Sequence, residues 1–87
     1  MNIEDFRNEK IAINCETELE AKMFMEILDR HDMGWWGSRT IETDNKWNEY
    51  GDKTCYEYDD DLCFGEIKHF EDCRIIKFKD FVRCNYE

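Results

Sequence analysis

Eighty-seven residues suffice for one hydrophobic core and not for two, so residues 1–87 are read as one domain. A hydrophobic content of 41% with 15% aromatics excludes a disordered chain, although 39% of the residues are charged. The net charge of −10, from 22 acids against 12 bases, speaks against direct binding to nucleic acid or anionic membranes and favours a basic partner.

Residues 1–9 carry Ile3 and Phe6 one helical turn apart and are read as an N-terminal extension or a single turn. Residues 10–15 alternate, with Ile11, Ile13 and Cys15 on one face, which is the pattern of a half-buried strand. Thr17-Glu18-Leu19-Glu20 matches a capping box, with Thr17 accepting from the third helical amide and Glu20 reaching back. The helix it opens is the longest element expected, with Met23, Phe24, Ile27, Leu28 and His31 assigned to the apolar face and Met25 outside it. Glu18–Lys22 and Glu26–Arg30 have the favourable acid-before-base order on its surface. Gly34 is the expected left-handed stop.

Residues 35–41 are aromatic and β-branched and are expected to form a second strand. If so, Trp35 and Trp36 point to opposite faces. Residues 42–53 read as a polar loop with a helical turn, residues 54–58 as a third strand and residues 62–67 as a fourth. Asp59-Asp60-Asp61 between those two is a hairpin connection, because aspartate favours turns and is depleted in strands. Residues 68–73 return the chain, with a helical turn around Phe70, and residues 74–78 make a fifth strand. The sum is an α+β fold: one amphipathic helix packed on a four- to five-stranded, mostly antiparallel sheet, with aromatics on the other face.

The five cysteines, Cys15, Cys55, Cys63, Cys73 and Cys84, contain no C-x-x-C pair and read as small buried hydrophobes. No run of apolar residues has the length of a signal peptide or a membrane span, which places the expected location in the cytoplasm. Asp59 to Asp61 lack the alternating ligands, turn glycine and terminal glutamate of a calcium loop, so neither metal nor cofactor is expected. Cysteines and histidines do not assemble a recognisable nucleophile and base, and no catalytic residues are assigned.

The charge is concentrated. Residues 42–72 hold eleven acids against three bases, a net −8, and the other 56 residues hold eleven against nine. Strand residues two apart lie about 6.6–7 Å apart on one face, close to the spacing of successive phosphates, and Glu57 and Asp59 have that separation. The expected partner-binding residues are therefore Glu49, Asp52, Glu57, Asp59, Asp60 and Asp61, with Trp47 and Tyr50 as aromatic anchors.

The segments Ile11-Ala12-Ile13-Asn14-Cys15, Gly34-Trp35-Trp36-Gly37, Trp47, Thr54-Cys55-Tyr56 and Ile75-Ile76-Lys77-Phe78 together resemble a group of small phage and prophage proteins. The resemblance spans residues 10–82 and implies source and fold. In size and acidity the chain also resembles anti-CRISPR and other anti-defence inhibitors, several of which mimic nucleic acid. The implied function is a non-enzymatic inhibitor that occupies the basic groove of a host defence nuclease, such as a CRISPR effector, in the host cytoplasm. Two alternatives carry different expectations: a nucleotide- or signal-binding module using the Trp and Tyr cluster, and a structural or regulatory phage protein that forms a homodimer through an uncovered sheet face.

Overall fold

The computed structural model describes residues 2–35 and 45–85. Among these the order of elements is α1 (Ile3–Asn8), β1 (Ile11–Asn14), α2 (Glu18–Arg30), β2 (Thr54–Asp59), β3 (Asp61–Glu66), β4 (Arg74–Lys77) and α3 (Phe78–Asn85). Short 3-10 segments at Trp47–Glu49 and Gly51–Lys53 lead into β2, and a third at Ile67–Phe70 joins β3 to β4. The strands form one mixed sheet in the order β3-β2-β1-β4. Two neighbouring pairs are antiparallel, while β1 and β4 run parallel from Ile11↔Arg74 to Asn14↔Lys77. The α+β architecture is as the sequence pattern predicts, with four strands.

Helices cover one face of this sheet. Ile11, Ile13, Cys15 and Tyr56 are buried there with Phe6 of α1, Phe24 and Leu28 of α2, and Phe78 and Phe81 of α3. Phe24 is the hub: its ring lies 5.3 Å from Phe6, 5.7 Å from Tyr56, 5.8 Å from Phe78 and 5.9 Å from Phe81, mostly edge-on. Edge-to-face contacts suit the aromatic quadrupole and add to the burial of each ring.

The opposite face has a floor of small residues. Ala12, Cys55 and Gly65 lie there, with Phe70 and Cys73 packed over them. A side chain at Gly65 would come within 3.2 Å of the Phe70 ring and 3.0 Å of His69 Nδ1, so the glycine allows Phe70 to sit close. The expected aromatic covering of this face is not what forms. Tyr56 belongs to the helix-side core, and Trp35, Tyr58 and Phe64 pack against that core, because strand alternation sends 56, 58 and 64 to one side.

Four further expectations change. Residues 3–8 are a helix rather than an extension, closed by an Asn2/Asp5 capping box and anchored by the buried Ile3 and Phe6. In α2 the buried set is Ala21, Phe24, Met25, Ile27 and Leu28, so Met25 is in the core and Met23 is outside, at 43% exposure. The spacing 21, 24, 25, 28 is the tighter helical stripe, and Met23 falls well round the helix from it.

Gly34 does not stop α2. His31 is the C-cap and Asp32 takes the left-handed conformation (φ 56°), with Asp32 N donating to Asp29 O and Met33 N to Leu28 O. That is a Schellman closure with aspartate where glycine is usual, sealed by the burial of Met33. At the other end, Thr17 Oγ1 accepts from Glu20 N at 3.1 Å, and the Glu20 carboxylate reaches one residue further back, to Glu16 N at 2.8 Å.

Finally, β4 ends at Lys77 because Phe78 and Phe81, one turn apart, roll the chain into α3 and bury both rings. The expected strand over residues 35–41 lies mostly outside the described residues. Trp35 itself makes one isolated parallel bridge to Leu62.

Candidate partner-binding site

The β2–β3 hairpin presents its acids in a fixed order. The register pairs Glu57 with Cys63 and Asp59 with Asp61, so Glu57, Asp59 and Asp61 share the face away from the helices. Asp60 forms the apex in the left-handed conformation (φ 66°), which aspartate tolerates better than most residues. Asp59 and Asp60 are exposed, and Glu57 and Asp61 are half-buried. The carboxylates act on a common neighbour. Burial, then the charges of Glu57, Asp59 and Asp61, hold the Cys63 thiol above its ordinary range.

Asp59 and Asp61 are directly opposed across the strand pair. Like charges at that position oppose hairpin formation. The hairpin keeps the pair although its fold would be easier to form with one partner neutral or basic.

A second group of side chains meets this face from elsewhere in the chain. A cleft of about 300 Å³ is lined by residues 7–10 on one side and residues 57–60 on the other. Lys10 Nζ donates to Asp72 Oδ2 at 2.9 Å, and each group holds the other in its charged form: the Lys10 ammonium is raised and the Asp72 carboxyl lowered. Cys73 Sγ donates to Glu57 Oε2 at 3.1 Å. Burial, followed by the Glu57 and Asp72 carboxylates, pushes the Cys73 thiol up to about 12, so it stays protonated at neutral pH. Neither Lys10 nor Cys73 was assigned to the site from sequence. Their contacts to Asp72 and Glu57 follow from β4 docking beside β1, and no local spacing announces that pairing.

The remaining assigned residues lie at the other end of β2, about 17 Å away along its five residue steps. Glu49 and Asp52 are exposed in the turns that precede the strand, so the structure does not bring them together with Glu57 and Asp59–Asp61. Trp47 is a structural anchor rather than an exposed one. Its Nε1 donates to Cys15 O at 3.0 Å, its backbone N donates to Asn45 Oδ1 at 2.9 Å, and its carbonyl accepts from Thr54 Oγ1 at 3.2 Å. The Tyr56 hydroxyl donates to the Asn45 carbonyl, which fastens the same loop to the core. Tyr50 is 37% exposed and rests against Phe64 and His69, with ring centroids 6.1 Å and 5.7 Å away.

Of the Trp and Tyr rings considered for nucleotide stacking, Trp35 meets Phe64 edge-on at 5.9 Å and Tyr56 at a tilt at 6.3 Å, and Trp36 lies outside the described residues. Among the described residues no group of three or more His, Cys, Asp and Glu side chains is placed to hold a metal ion. No helix of the described residues is long and apolar enough to cross a membrane.

These arrangements define an α+β protein with an acidic hairpin face. Comparison with protein-family models, with curated proteins and with solved structures finds no match to this chain.

Proposed function

We propose that the β2–β3 hairpin is a protein-binding element that occupies a basic groove built for nucleic acid, and that the chain acts without catalysis as an inhibitor of the protein that owns the groove. The observation that carries this reading is the facing pair Asp59 and Asp61, flanked by Glu57 and tipped by Asp60. Their mutual repulsion disfavours the hairpin in isolation and is relieved when cations of a partner surround them. Glu57 and Asp59 are about 6.6–7 Å apart along one face, near the repeat of a phosphate backbone. A groove that sheds its counterions to DNA would shed them equally to this row. The resemblance to small phage proteins makes a phage-encoded inhibitor acting in the host cytoplasm, and a host defence nuclease such as a CRISPR effector as its target, the most specific form of the proposal.

The test is binding to purified nucleic-acid-guided and restriction nucleases, with DNA as competitor. Replacing Glu57, Asp59, Asp60 and Asp61 together by Lys is expected to weaken binding by about 100-fold or more, since close interfacial charge pairs couple strongly. Reversing Glu49 and Asp52 is expected to do much less, and reversing Glu4, Glu18 and Glu20 least. Equal losses from the three sets would refute the proposal, as would binding that DNA does not displace.

A further inference from the structure

One acid of the hairpin row is held by another side chain. Cys73 Sγ donates to Glu57 Oε2 at 3.1 Å, whereas among the described residues no other side chain donates a hydrogen bond to the carboxylates of Asp59, Asp60 or Asp61. The thiol is itself fixed in place. Cys73 N donates to Phe70 O at 3.0 Å, and the next residue, Arg74, donates its N–H to Lys10 O at 2.9 Å, so the backbone is tied on both sides. The Cys73 side chain is half-buried against the floor of Ala12, Cys55 and Phe70. Burial, followed by the Glu57 carboxylate, raises the thiol to about 12, so its hydrogen is in place at any physiological pH.

Two neighbours could draw this pair apart. Lys10 lines the same cleft as Glu57, and the Glu57 charge, after that of Asp72, helps to raise the Lys10 ammonium. Lys10 Nζ nevertheless meets Asp72 Oδ2, at 2.9 Å. Asp72 Oδ1 lies 3.8 Å from Cys73 Sγ, against 3.1 Å for Glu57, so the single thiol hydrogen goes to Glu57. Cation and row are thereby kept apart: Asp72 takes the ammonium and the thiol takes Glu57. A Glu57 released from the thiol would have its side-chain torsions free and a cation lining its own cleft. Pairing with Lys10 would cancel one charge of the row and turn the carboxylate away from Asp59.

We infer, on the reading of the hairpin as a binding element, that Cys73 is a positioning residue of the acidic row: its thiol holds the Glu57 carboxylate in one orientation beside Asp59 and away from Lys10. A carboxylate that is already ordered loses less freedom on meeting a partner's cation, so the thiol raises affinity without touching the partner. A neutral donor suits this task, because a lysine or arginine at position 73 would hold Glu57 at least as firmly and cancel its charge.

Cys73→Ala lacks the donor, Cys73→Ser replaces it with a hydroxyl, and Glu57→Ala removes the acceptor. Three-bond couplings in the Glu57 side chain, measured by NMR on the full chain, should report one rotamer in the native protein and in Cys73→Ser, and averaging in Cys73→Ala. The infrared S–H stretch of Cys73, assigned as the band lost in Cys73→Ser, should move to higher frequency in Glu57→Ala, because the thiol then lacks its acceptor. For a nucleic-acid-guided or restriction nuclease that binds the native chain, Cys73→Ala should weaken binding by about three- to tenfold and Cys73→Ser by less than about twofold. In the Glu57→Ala background Cys73→Ala should have no further effect on binding. A Glu57 rotamer indifferent to Cys73→Ala, an unmoved S–H band, or a loss of binding that persists in the Glu57→Ala background would each overturn the inference. The expected couplings and S–H shift without binding to any nuclease would support the hold of Cys73 on Glu57 and refute the inhibitor reading instead.

Discussion

The two faces of the sheet are built on different principles. On the helix side, four large rings from three elements converge on Phe24, and the cost of ordering them is offset by burial and by edge-to-face contact. On the other side, Ala12, Cys55 and Gly65 leave little volume to fill, one phenylalanine caps them, and the rest of the surface goes to charge. One face supplies most of the stability. The other is thereby free to hold groups that oppose folding, including two aspartates opposite each other in the β2–β3 hairpin.

Truncating the hub of each face sharpens that contrast. Phe24→Ala should cost about 3–5 kcal/mol, a large share of the stability of a domain this size, because four neighbouring rings lose a contact at once. Phe70→Ala should cost about 3 kcal/mol, at the low end of the range, since Phe70 covers a shallow floor and keeps some exposure. Urea denaturation of both variants measures the difference. Equal losses would mean that the second face carries as much of the fold as the first.

A smaller effect is expected at the α2 cap. Thr17→Ala removes the bond to Glu20 N and should cost about 1 kcal/mol by the same measurement. Glu20 still holds Glu16 N, so the first turn is not left bare.

The smallest effect is absent at neutral pH and grows with alkalinity. Cys55 is pushed up to about 11 by burial and Cys73 to about 12 by burial and its carboxylate neighbours, from an ordinary value of 9.0. For a group whose value is higher in the folded state, the contribution is complete below 9.0 and is lost as pH rises through 11 to 12. Stability should therefore decline above about pH 9, and Cys73→Ser should reduce the slope of that decline. A slope unchanged by Cys73→Ser would detach Cys73 from the carboxylate face.

Much of this architecture is legible in the sequence. The alternation of Ile11, Ile13 and Cys15, the Thr17 cap and the aspartate hairpin all declare themselves through short-range rules, although β1 is buried on both faces instead of one and Asp59 and Asp61 end their strands, leaving Asp60 alone at the turn. What escapes them is set by tertiary contact. Arg74 to Phe78 reads as strand, with no local signal for the helix that follows, and the change at Lys77 is decided by Phe78 and Phe81 finding Phe24. Trp47 looks like an exposed anchor because its neighbours in sequence are charged, yet its indole is spent on the Cys15 carbonyl, 32 positions away. Glu57 and Asp59 were legible as a row from strand spacing, whereas Lys10, Asp72 and Cys73 join them only through the β1–β4 pairing.

That pairing also governs the order of events during synthesis. β1 lies between β2 and β4, so its two neighbours are contributed from 43 positions away (Ile13↔Tyr56) and 63 positions away (Ile11↔Arg74). At translation rates of about 5–20 residues per second, β1 waits on the order of 3–13 s for its second partner. Throughout that interval Ile11 and Ile13 lack their β4 neighbours, and folding is limited by long-range closure rather than by the early helix α2. β1 has only four residues, which makes it a short template for mispairing with another nascent chain.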